Sequence, residues 1–453
     1  MINSQGNNMA LVHETSCPCT TSALDLFTVP PTQLTVEDGY VVDYHPIANI
    51  DSGPIEFFVS GSGAEYIDLA KSYLQVKAKV VKANGSSLAA TDKVAPVNLF
   101  MQTLFSQVDV SLNEKIITPS MPTYPYRAYA DVMLNYGPAT LKSLYTMSLF
   151  HRDTPGKFDV TEPDPDEQDA EENEGLNSRY KYVKNSAVVD MISPIHADLF
   201  FQPRYLINGV DLRVKLIRHK DAFSLMTNTP AAGYKVKIER CTLFVRKIKV
   251  SPSTSLAHER ALEKTTAKYP IDRVVTKVIS VPAGQMSLQQ DHVFLGQLPK
   301  KVIVAMVENQ AFNGNYEKNP FNFQHFKTNY LALDVDGKLV PSKPFQPDFE
   351  GAKGKQYMRE YYSLFSELNK LEGHPELYIS RDDYAKGLTM FAFDLTPTGN
   401  SEGSFALRKN GNLRLDIHFK DPLAKTINIL VIGTFENVLE IDRARNILYD
   451  FSV

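Results

Sequence analysis

The sequence predicts an all-β protein made of two similar domains in tandem. Residues 206–221 (LINGVDLRVKLIRHKD) and 408–422 (RKNGNLRLDIHFKDP) each contain an Asn-Gly pair followed by a strictly alternating strand. Asn-Gly is the commonest short hairpin turn, so each pair predicts a hairpin. A second strand-like run follows each segment, at residues 234–250 and 426–441. The same order at an offset of roughly 200 residues indicates a duplicated β-sandwich plan.

Alternation assigns the faces of the two matching strands. Successive side chains of a strand point to opposite faces, so the alternating apolar residues of each strand share one face. That face should be buried. These apolar residues are Leu212, Val214 and Leu216 in the first copy, and Leu413, Leu415, Ile417 and Phe419 in the second. Arg414, Asp416 and His418 should lie on the opposite, more polar face. Short alternating strands also arise by chance, so duplication needs support from further shared elements.

Further support comes from matched segments that lie upstream of the Asn-Gly pairs and from the helices that follow them. Residues 109–115 (DVSLNEK) of the first copy resemble residues 334–338 (DVDGK) of the second. Each segment leads through a Pro-containing connection into a helical pattern. Apolar spacing predicts one face made of Tyr126, Tyr129, Ala130, Met133 and Leu134, and another made of Met358, Tyr361, Leu364, Phe365 and Leu368. Strand, turn, helix, long loop and strand pair therefore recur in one order, as duplication requires.

Composition agrees with a large β protein. The chain has 453 residues, of which 43% are hydrophobic, and it contains 25 Phe and 22 Tyr but no Trp. A formal net charge of −4 gives no overall basic field, so we expect no generic or sequence-specific binding of nucleic acid. No run approaches the roughly 20 apolar residues of a transmembrane segment, and the N-terminus lacks the pattern of a signal peptide. Synthesis in the cytoplasm is the expectation.

The pattern divides the chain into an arm and two domains. Residues 1–30 are rich in Asn, Ser and Thr and end at a Pro-Pro pair, which predicts an N-terminal arm. Residues 31–252 form the first predicted domain and 253–453 the second, with a short charged helix expected just after the boundary. Within the first domain, residues 159–175 include an acidic run with almost no apolar side chain, which predicts a solvated loop on the outer surface.

The cysteines predict no disulfide framework. Cys17 and Cys19 lie in the arm, and Cys241 lies inside an alternating strand. A metal site made of Cys17, Cys19 and His13 is conceivable, but incidental cysteines in a polar arm are the favoured interpretation. We therefore expect no metal and no cofactor.

Motifs for catalysis are weak. Residues 351–355 (GAKGK) lack the spacing of a phosphate-binding loop, and no HExxH or GxSxG motif is present. Asp382 and Asp383 could serve a glycosidase, but adjacent residues point apart, which favours a solvated turn. No catalytic residue is predicted, and we expect the chain not to be an enzyme.

An aromatic run is the strongest candidate for recognition. Phe321, Phe323, Phe326 and Tyr330 alternate with polar residues and could stack on a sugar or a base. The favoured interpretation is a loop that packs against a neighbouring subunit.

Several long segments carry a resemblance to a known family. They are residues 66–80 (YIDLAKSYLQVKAKV), 94–120 (VAPVNLFMQTLFSQVDVSLNEKIITPS), 124–129 (YPYRAY), 391–397 (FAFDLTP), 411–419 (GNLRLDIHF) and 435–451 (FENVLEIDRARNILYDF). Together they resemble the major capsid protein of Polinton/Maverick elements and their adintovirus relatives. The resemblance runs from about residue 56 to residue 451, and the arm and the acidic insert lie outside it.

The resemblance implies a double jelly roll, which is two tandem eight-stranded antiparallel β-sandwiches with short helices in the connecting loops. It also implies a hexon-like structural protein of the virion. Such a protein forms a pseudo-hexameric homotrimer that packs against neighbouring capsomers and against penton or minor capsid proteins. Two alternatives stay open. One is a jelly-roll protein that binds or hydrolyses glycans, and the other is a domesticated or minor structural capsid protein.

Two further sets of residues are expected to make contacts between subunits. Arg443 and Arg445, near the C-terminus, should pair with carboxylates where the second domain packs. In the arm, we expect Leu24, Leu26, Phe27 and Val29 to order only against a neighbour in the assembled shell, as disordered segments do when they fold on binding.

Overall fold

Strands dominate the computed structural model, which describes residues 13, 15–17, 19–51, 53–163, 172–351, 354–371, 377–397, 404–407 and 409–449. The strands of the first half are β1 (Val36–Tyr44), β2 (Ile55–Val59), β3 (Tyr66–Lys82), β4 (Val94–Pro96), β5 (Phe105–Leu112), β6 (Lys115–Ile116), β7 (Val189–Ser193), β8 (Leu212–Arg218), β9 (Leu225–Thr227) and β10 (Tyr234–Val250). Those of the second half are β11 (Ala267–Val281), β12 (Ser287–Gln290), β13 (Lys301–Glu308), β14 (Thr328–Val335), β15 (Lys338–Phe345), β16 (Met390–Asp394), β17 (Leu413–Phe419), β18 (Ile427–Ile441) and β19 (Ile447–Leu448).

Short helices connect the strands. They are α1 (Phe100–Thr103), α2 (Tyr124–Asn135), α3 (Pro138–Lys142), α4 (Glu174–Val183), α5 (Asp221–Ser224), α6 (Pro252–Leu262), α7 (Asn309–Asn313), α8 (Met358–Ser366) and α9 (Arg381–Ala385). Short 3-10 helices lie at Ser22–Leu24, Leu144–Ser148, Lys184–Ser186, Asp198–Phe201 and Pro230–Ala232. In the part of the chain that the structure describes, no helix is both long and apolar enough to cross a membrane.

The two halves have the same sheet topology. In the first half, one sheet has the strand order β1-β10-β3-β7 and the other β2-β8-β5-β6. In the second half, the corresponding orders are β11-β18-β13-β16 and β12-β17-β14-β15. Strands β4 and β9 of the first half form a separate two-stranded sheet, and β19 extends one sheet of the second half by pairing with β18. All pairings between these strands are antiparallel. Each half is thus an eight-stranded jelly roll, and the predicted duplication is confirmed strand by strand.

The faces predicted from alternation are confirmed. Leu413, Leu415, Ile417 and Phe419 of β17 are at most 2% exposed. The residues between them are only half-buried, as expected for the outer face of a sandwich. Strand β8 repeats the pattern with Leu212, Val214 and Leu216. The two strands are therefore equivalent in position as well as in sequence.

The Asn-Gly pairs are not hairpin turns, which corrects one prediction. Leu206 bridges to Ile67 of β3 in one sheet, whereas β8 begins at Leu212 in the other sheet. The chain between them, including Gly209 with a φ of +77°, crosses from sheet to sheet. The tight hairpins lie instead in the other matched pair, at Asn113-Glu114 and Asp336-Gly337, where both central residues of each turn have positive φ.

The predicted helices are confirmed and most of their apolar residues pack as the spacing predicts, but Met358 is 36% exposed and Leu368 lies beyond the end of α8. Helix α2 buries Tyr126, Tyr129, Met133 and Leu134, and α8 buries Leu364 and packs Tyr361 and Phe365 against the core. Between β10 and β11 lies α6, with Ser251 as its N-cap and Pro252 at its first position. The expected domain boundary at residues 252 and 253 falls at the start of this helix.

The acidic insert lies largely outside the described residues, because residues 164–171 are not described. At its start, Asp159 accepts a hydrogen bond from the Asn319 backbone amide at 2.9 Å. At its end, Glu174 begins α4, whose N-cap is Asn173. The predicted outward projection of this loop stays a prediction.

The register of β17 can be tested by Leu415→Asp. This change places a carboxylate at a site of 0% exposure, which should cost several kcal/mol and abolish cooperative folding. The control is Leu295→Asp, the same change at a leucine that is 56% exposed, and it should cost no more than about 0.5 kcal/mol. Urea unfolding followed by circular dichroism should show no cooperative transition in Leu415→Asp and gives the free energy of unfolding of Leu295→Asp. Native stability of the Leu415→Asp variant would show that the register is wrong.

Candidate functional site

The aromatic run joins the two jelly rolls of one chain. Phe321 and Phe323 are 0% and 2% exposed, and both pack against helix α2 of the first half. The ring of Phe321 stacks on Tyr129 with centroids 4.2 Å apart and planes 5° apart, and it meets Tyr126 edge-on at 5.9 Å. The expectation that Phe321 and Phe323 contact a neighbouring subunit is therefore wrong, because the chain itself already covers both rings.

The other two members of the run lie nearer the surface. Phe326 is half-buried against the same core, and Tyr330 stacks on His418 across β14 and β17, with centroids 4.8 Å apart. This pair lies on the outer face of the second sandwich. A contact of Phe326 or Tyr330 with another subunit stays a prediction.

A buried ion pair lies beside the aromatic cluster. Arg179 of α4 donates to Asp153 at 2.6 Å, and neither side chain has any exposed surface. Asp153 also accepts hydrogen bonds from Asn173 at 2.9 Å and from Asn319 of the second half at 3.2 Å. Hydrogen bonds to the remaining carboxylate lone pairs are the condition under which a buried pair is tolerated. The network therefore ties the loops of the first jelly roll to those of the second.

Sequence reasoning missed this network, although a signal was present. Leu176, Tyr180 and Val183 form the apolar face of α4, and Arg179 has the helical spacing to lie on the same face. An arginine in the middle of an apolar stripe indicates a buried carboxylate partner. The partner Asp153 lies outside the helix, so its identity could not be read from spacing.

The carboxylates considered for glycosidase chemistry have structural roles instead. Asp383 forms a capping box with Ser380 at the start of α9 and makes an ion pair with Arg152. Asp382 lies in the first turn of the same short helix. Since Phe321 and Phe323 are also buried, the glycan interpretation loses its aromatic platform and its carboxylate pair.

A second polar contact joins the jelly rolls near the start of the second. Arg127 of α2 donates to Asp198 at 2.6 Å, and the backbone amide of Val274 in β11 donates to the same carboxylate oxygen at 3.2 Å. His196 lies within 3.3 Å of Asp131 on the other side of Arg127. Helix α2 therefore contacts the second half directly through aromatic rings, and Arg127 supports a second contact in which Asp198 of the first half binds the Val274 amide.

Arg443 and Arg445 both pair with carboxylates, but these belong to the same chain, and a contact with another subunit stays a prediction. Arg445 contacts Glu259 of α6 and donates from Nε to the backbone oxygen of Asn208 at 2.8 Å. Arg443 lies 3.3 Å from Glu263, with 66% of its side chain exposed. Arg445 thus secures the C-terminal segment to the first half and the linker helix, and only Arg443 remains open to a neighbour.

The arm is exposed along its apolar residues. Leu24, Leu26, Phe27 and Val29 are 65–96% exposed, although large apolar side chains are normally covered. Cys17 and Cys19 are exposed as well, while burial raises the pKa of Cys241 to about 12. Among the described residues, no group of His, Cys, Asp or Glu has the geometry to hold a metal ion.

The sequence was compared with protein-family models and with known proteins. No protein-family model matches the chain. The uncharacterized protein F54H12.2 of Caenorhabditis elegans is 21% identical over 415 residues, which is 88% of this chain and 93% of the relative.

Solved structures match more closely in shape than in sequence. A chain of the Sputnik virophage has a TM-score of 0.64 at 11% identity, over 98% of this chain and 95% of its own. The Faustovirus major capsid protein has a TM-score of 0.60 at 8% identity, over 94% and 93%. The mavirus major capsid protein has a TM-score of 0.53 at 10% identity, over 97% and 96%. The chain therefore has the double jelly-roll fold of viral major capsid proteins.

The aromatic junction can be tested by Phe321→Ala. Removing a fully buried phenylalanine should cost about 3–5 kcal/mol and weaken the contact between the jelly rolls. The matched control is Tyr126→Phe, which keeps the ring and removes a hydroxyl that has no hydrogen-bond partner among the described residues, so it should cost little. Thermal unfolding and limited proteolysis between the two halves measure the effect. A small loss in Phe321→Ala would show that the junction does not depend on this ring.

Two half-buried histidines predict acid sensitivity. Burial lowers the pKa of both His219 and His325 from 6.5 to about 4, and each ring is stacked on a phenylalanine. Because these pKa values are lower in the folded state, the unfolded chain binds more protons between pH 6.5 and 4. The free energy of unfolding should therefore fall as the pH falls through this window.

Melting temperature measured from pH 7 to pH 4 tests the acid response. His325→Gln removes one titrating group and should flatten the decline, whereas the surface change His45→Gln should leave it as in the parent. An unchanged slope in His325→Gln would contradict the assignment.

Proposed function

We propose that the chain is a major capsid protein of the Polinton/Maverick and adintovirus kind, which assembles as a homotrimer into an icosahedral shell. One observation carries this proposal: a single chain holds two jelly rolls of identical strand order in a fixed relation. The sequence resemblance at residues 66–129 and 391–451 and the likeness in fold to viral capsid proteins both support it.

The physical reason is geometric. Three chains around a threefold axis would present six similar barrels, so the trimer would have a nearly hexagonal outline that can tile a shell. Such tiling requires that the two barrels of one chain keep a constant relation. The buried contacts of Tyr129 with Phe321 and of Asp153 with Arg179 and Asn319 meet that requirement.

The surface also favours self-association. Several large apolar side chains are at least half exposed, and they occur in both halves: Leu144, Tyr182, Val188, Tyr362 and Leu407. Where such side chains come together in one exposed patch, they are typical of protein interfaces. We assign these residues, together with Arg443, Phe326 and Tyr330, to contacts with other subunits, neighbouring capsomers, or penton and minor capsid proteins.

The glycan-binding alternative is weakened by the burial of Phe321 and Phe323 and by the capping role of Asp383. A minor structural capsid protein would usually need only one jelly roll, so the doubled plan favours the major one. On this proposal the protein is made in the host cytoplasm, resides in the virion, and performs no catalysis.

The mass of the purified native particle tests the proposal. A homotrimer should have about three times the chain mass of 50.8 kDa by light scattering, and larger shells should be visible by electron microscopy. Arg443→Glu should lower the trimer yield without changing the melting temperature of the monomer. Arg445→Glu, at a side chain held within the chain, should lower the melting temperature itself. A parent chain that stays monomeric and binds a polysaccharide saturably would refute the capsid assignment.

A further inference from the structure

An apolar groove of about 550 Å³ opens beside the linker helix α6. It lies between the starts of β1 and β11, where the two jelly rolls are joined. Its wall includes Val36, Tyr66, Ile207, Val250, Leu262 and Tyr269. The volume is within the range of clefts that hold a ligand or a short peptide segment. This groove is therefore large enough for several apolar side chains.

Both charged side chains of the groove wall are basic, although Glu440 outside the wall lies 3.8 Å from Lys268 Nζ. Arg204 and Lys268 line it, and no carboxylate lies among the described residues of its wall. His258 also lines the groove, where its Nδ1 is 2.9 Å from the hydroxyl of Tyr66. A ligand with apolar side chains and a negative charge would be complementary to the apolar wall and to the basic side chains of Arg204 and Lys268.

The arm of the same sequence has this chemistry. Residues 22–29 (SALDLFTV) contain four exposed apolar side chains and one charged residue, Asp25. Phe27 is 96% exposed, which is costly for a large aromatic ring in an isolated chain. Both the groove and the segment that fits it are therefore uncovered in the single chain.

In the single chain the segment does not lie in its own groove, because its four apolar side chains are 65–96% exposed and none of them lines the wall. Thr35 and Val36 lie on the groove wall, a few residues after the arm ends at Pro30. Pro30 and Pro31 favour an extended backbone of about 3.1 Å per residue, so docking in the same groove would require the chain to fold back within residues 30–34. Docking in the groove of a second copy requires no such reversal.

We propose that the groove of one chain binds residues 24–29 of a second copy, with Asp25 near Arg204 and Lys268. The exchange would link subunits in the assembled particle, so the inference rests on the proposed capsid function and identifies the binding site of the arm.

A disulfide between two chains tests the exchange. Chains carrying Phe27→Cys and chains carrying Ala261→Cys, with different tags and with Cys17→Ser and Cys19→Ser in both, are mixed and assembled. Ala261 lines the groove and is exposed on α6, so its replacement should not disturb the fold. Oxidation should give a cross-linked pair with both tags. The control replaces Ala261→Cys by Leu256→Cys, which is on the same helix outside the groove and should give little cross-linking.

Filling the groove gives a second measurement. Ala261→Glu adds bulk and negative charge facing Asp25, so it should expose the arm to protease in assembled particles and lower their yield several-fold. Leu256→Glu should do neither. Intact particles without a cross-linked pair that carries both tags would overturn the inference and leave the capsid function standing. A parent chain that never assembles would overturn both.

Discussion

The fold depends on one buried contact, the stacking of Tyr129 in α2 on Phe321 of the second jelly roll. Each jelly roll has its own sheets, but the second core continues through this ring pair into α2 and the neighbouring loops of the first half. Aromatic pairs of this kind contribute about 0.5–1.5 kcal/mol beyond the area they bury. These rings make both stacked and edge-on contacts. Because such contacts are directional, they fix the angle between the barrels as well as holding the barrels together.

The charged contacts add selectivity to this junction. A buried pair such as Arg179 and Asp153 gives little net stability compared with apolar residues of the same shape. Any arrangement that separates the two, or removes Asn319 from Asp153, leaves a buried charge without its partner and is strongly disfavoured. The aromatic rings thus supply most of the attraction, and the polar network excludes other placements of the second barrel.

The two jelly rolls keep the same strand order but differ in what fills their loops. In the first, the connection after α2 carries α3, the acidic insert and α4, whereas in the second α9 follows α8, the helix that matches α2. Duplication thus provides similar barrels for tiling, while the loops are free to serve the junction and the outer surface. The linker helix α6 joins the copies and, through Glu259 and Arg445, also holds the C-terminal segment.

Alternation and helical spacing are local properties, so the sequence alone determined the strand faces of β8 and β17, the helices α2 and α8, and the doubled plan. Partners distant in sequence were decided only by the tertiary structure. The Asn-Gly pairs could not be assigned correctly, because a hairpin and a crossing between sheets differ in a partner strand that lies elsewhere in the chain.

Phe321 and Phe323 show the same limit for the candidate site. Their spacing was that of an exposed platform, but α2, nearly 200 residues earlier, covers both rings. A sequence pattern predicts which face of a segment is buried and which is exposed to water. It does not predict which other element covers the buried face, because that depends on the packing of the whole chain. Here the packing covers these rings within one subunit.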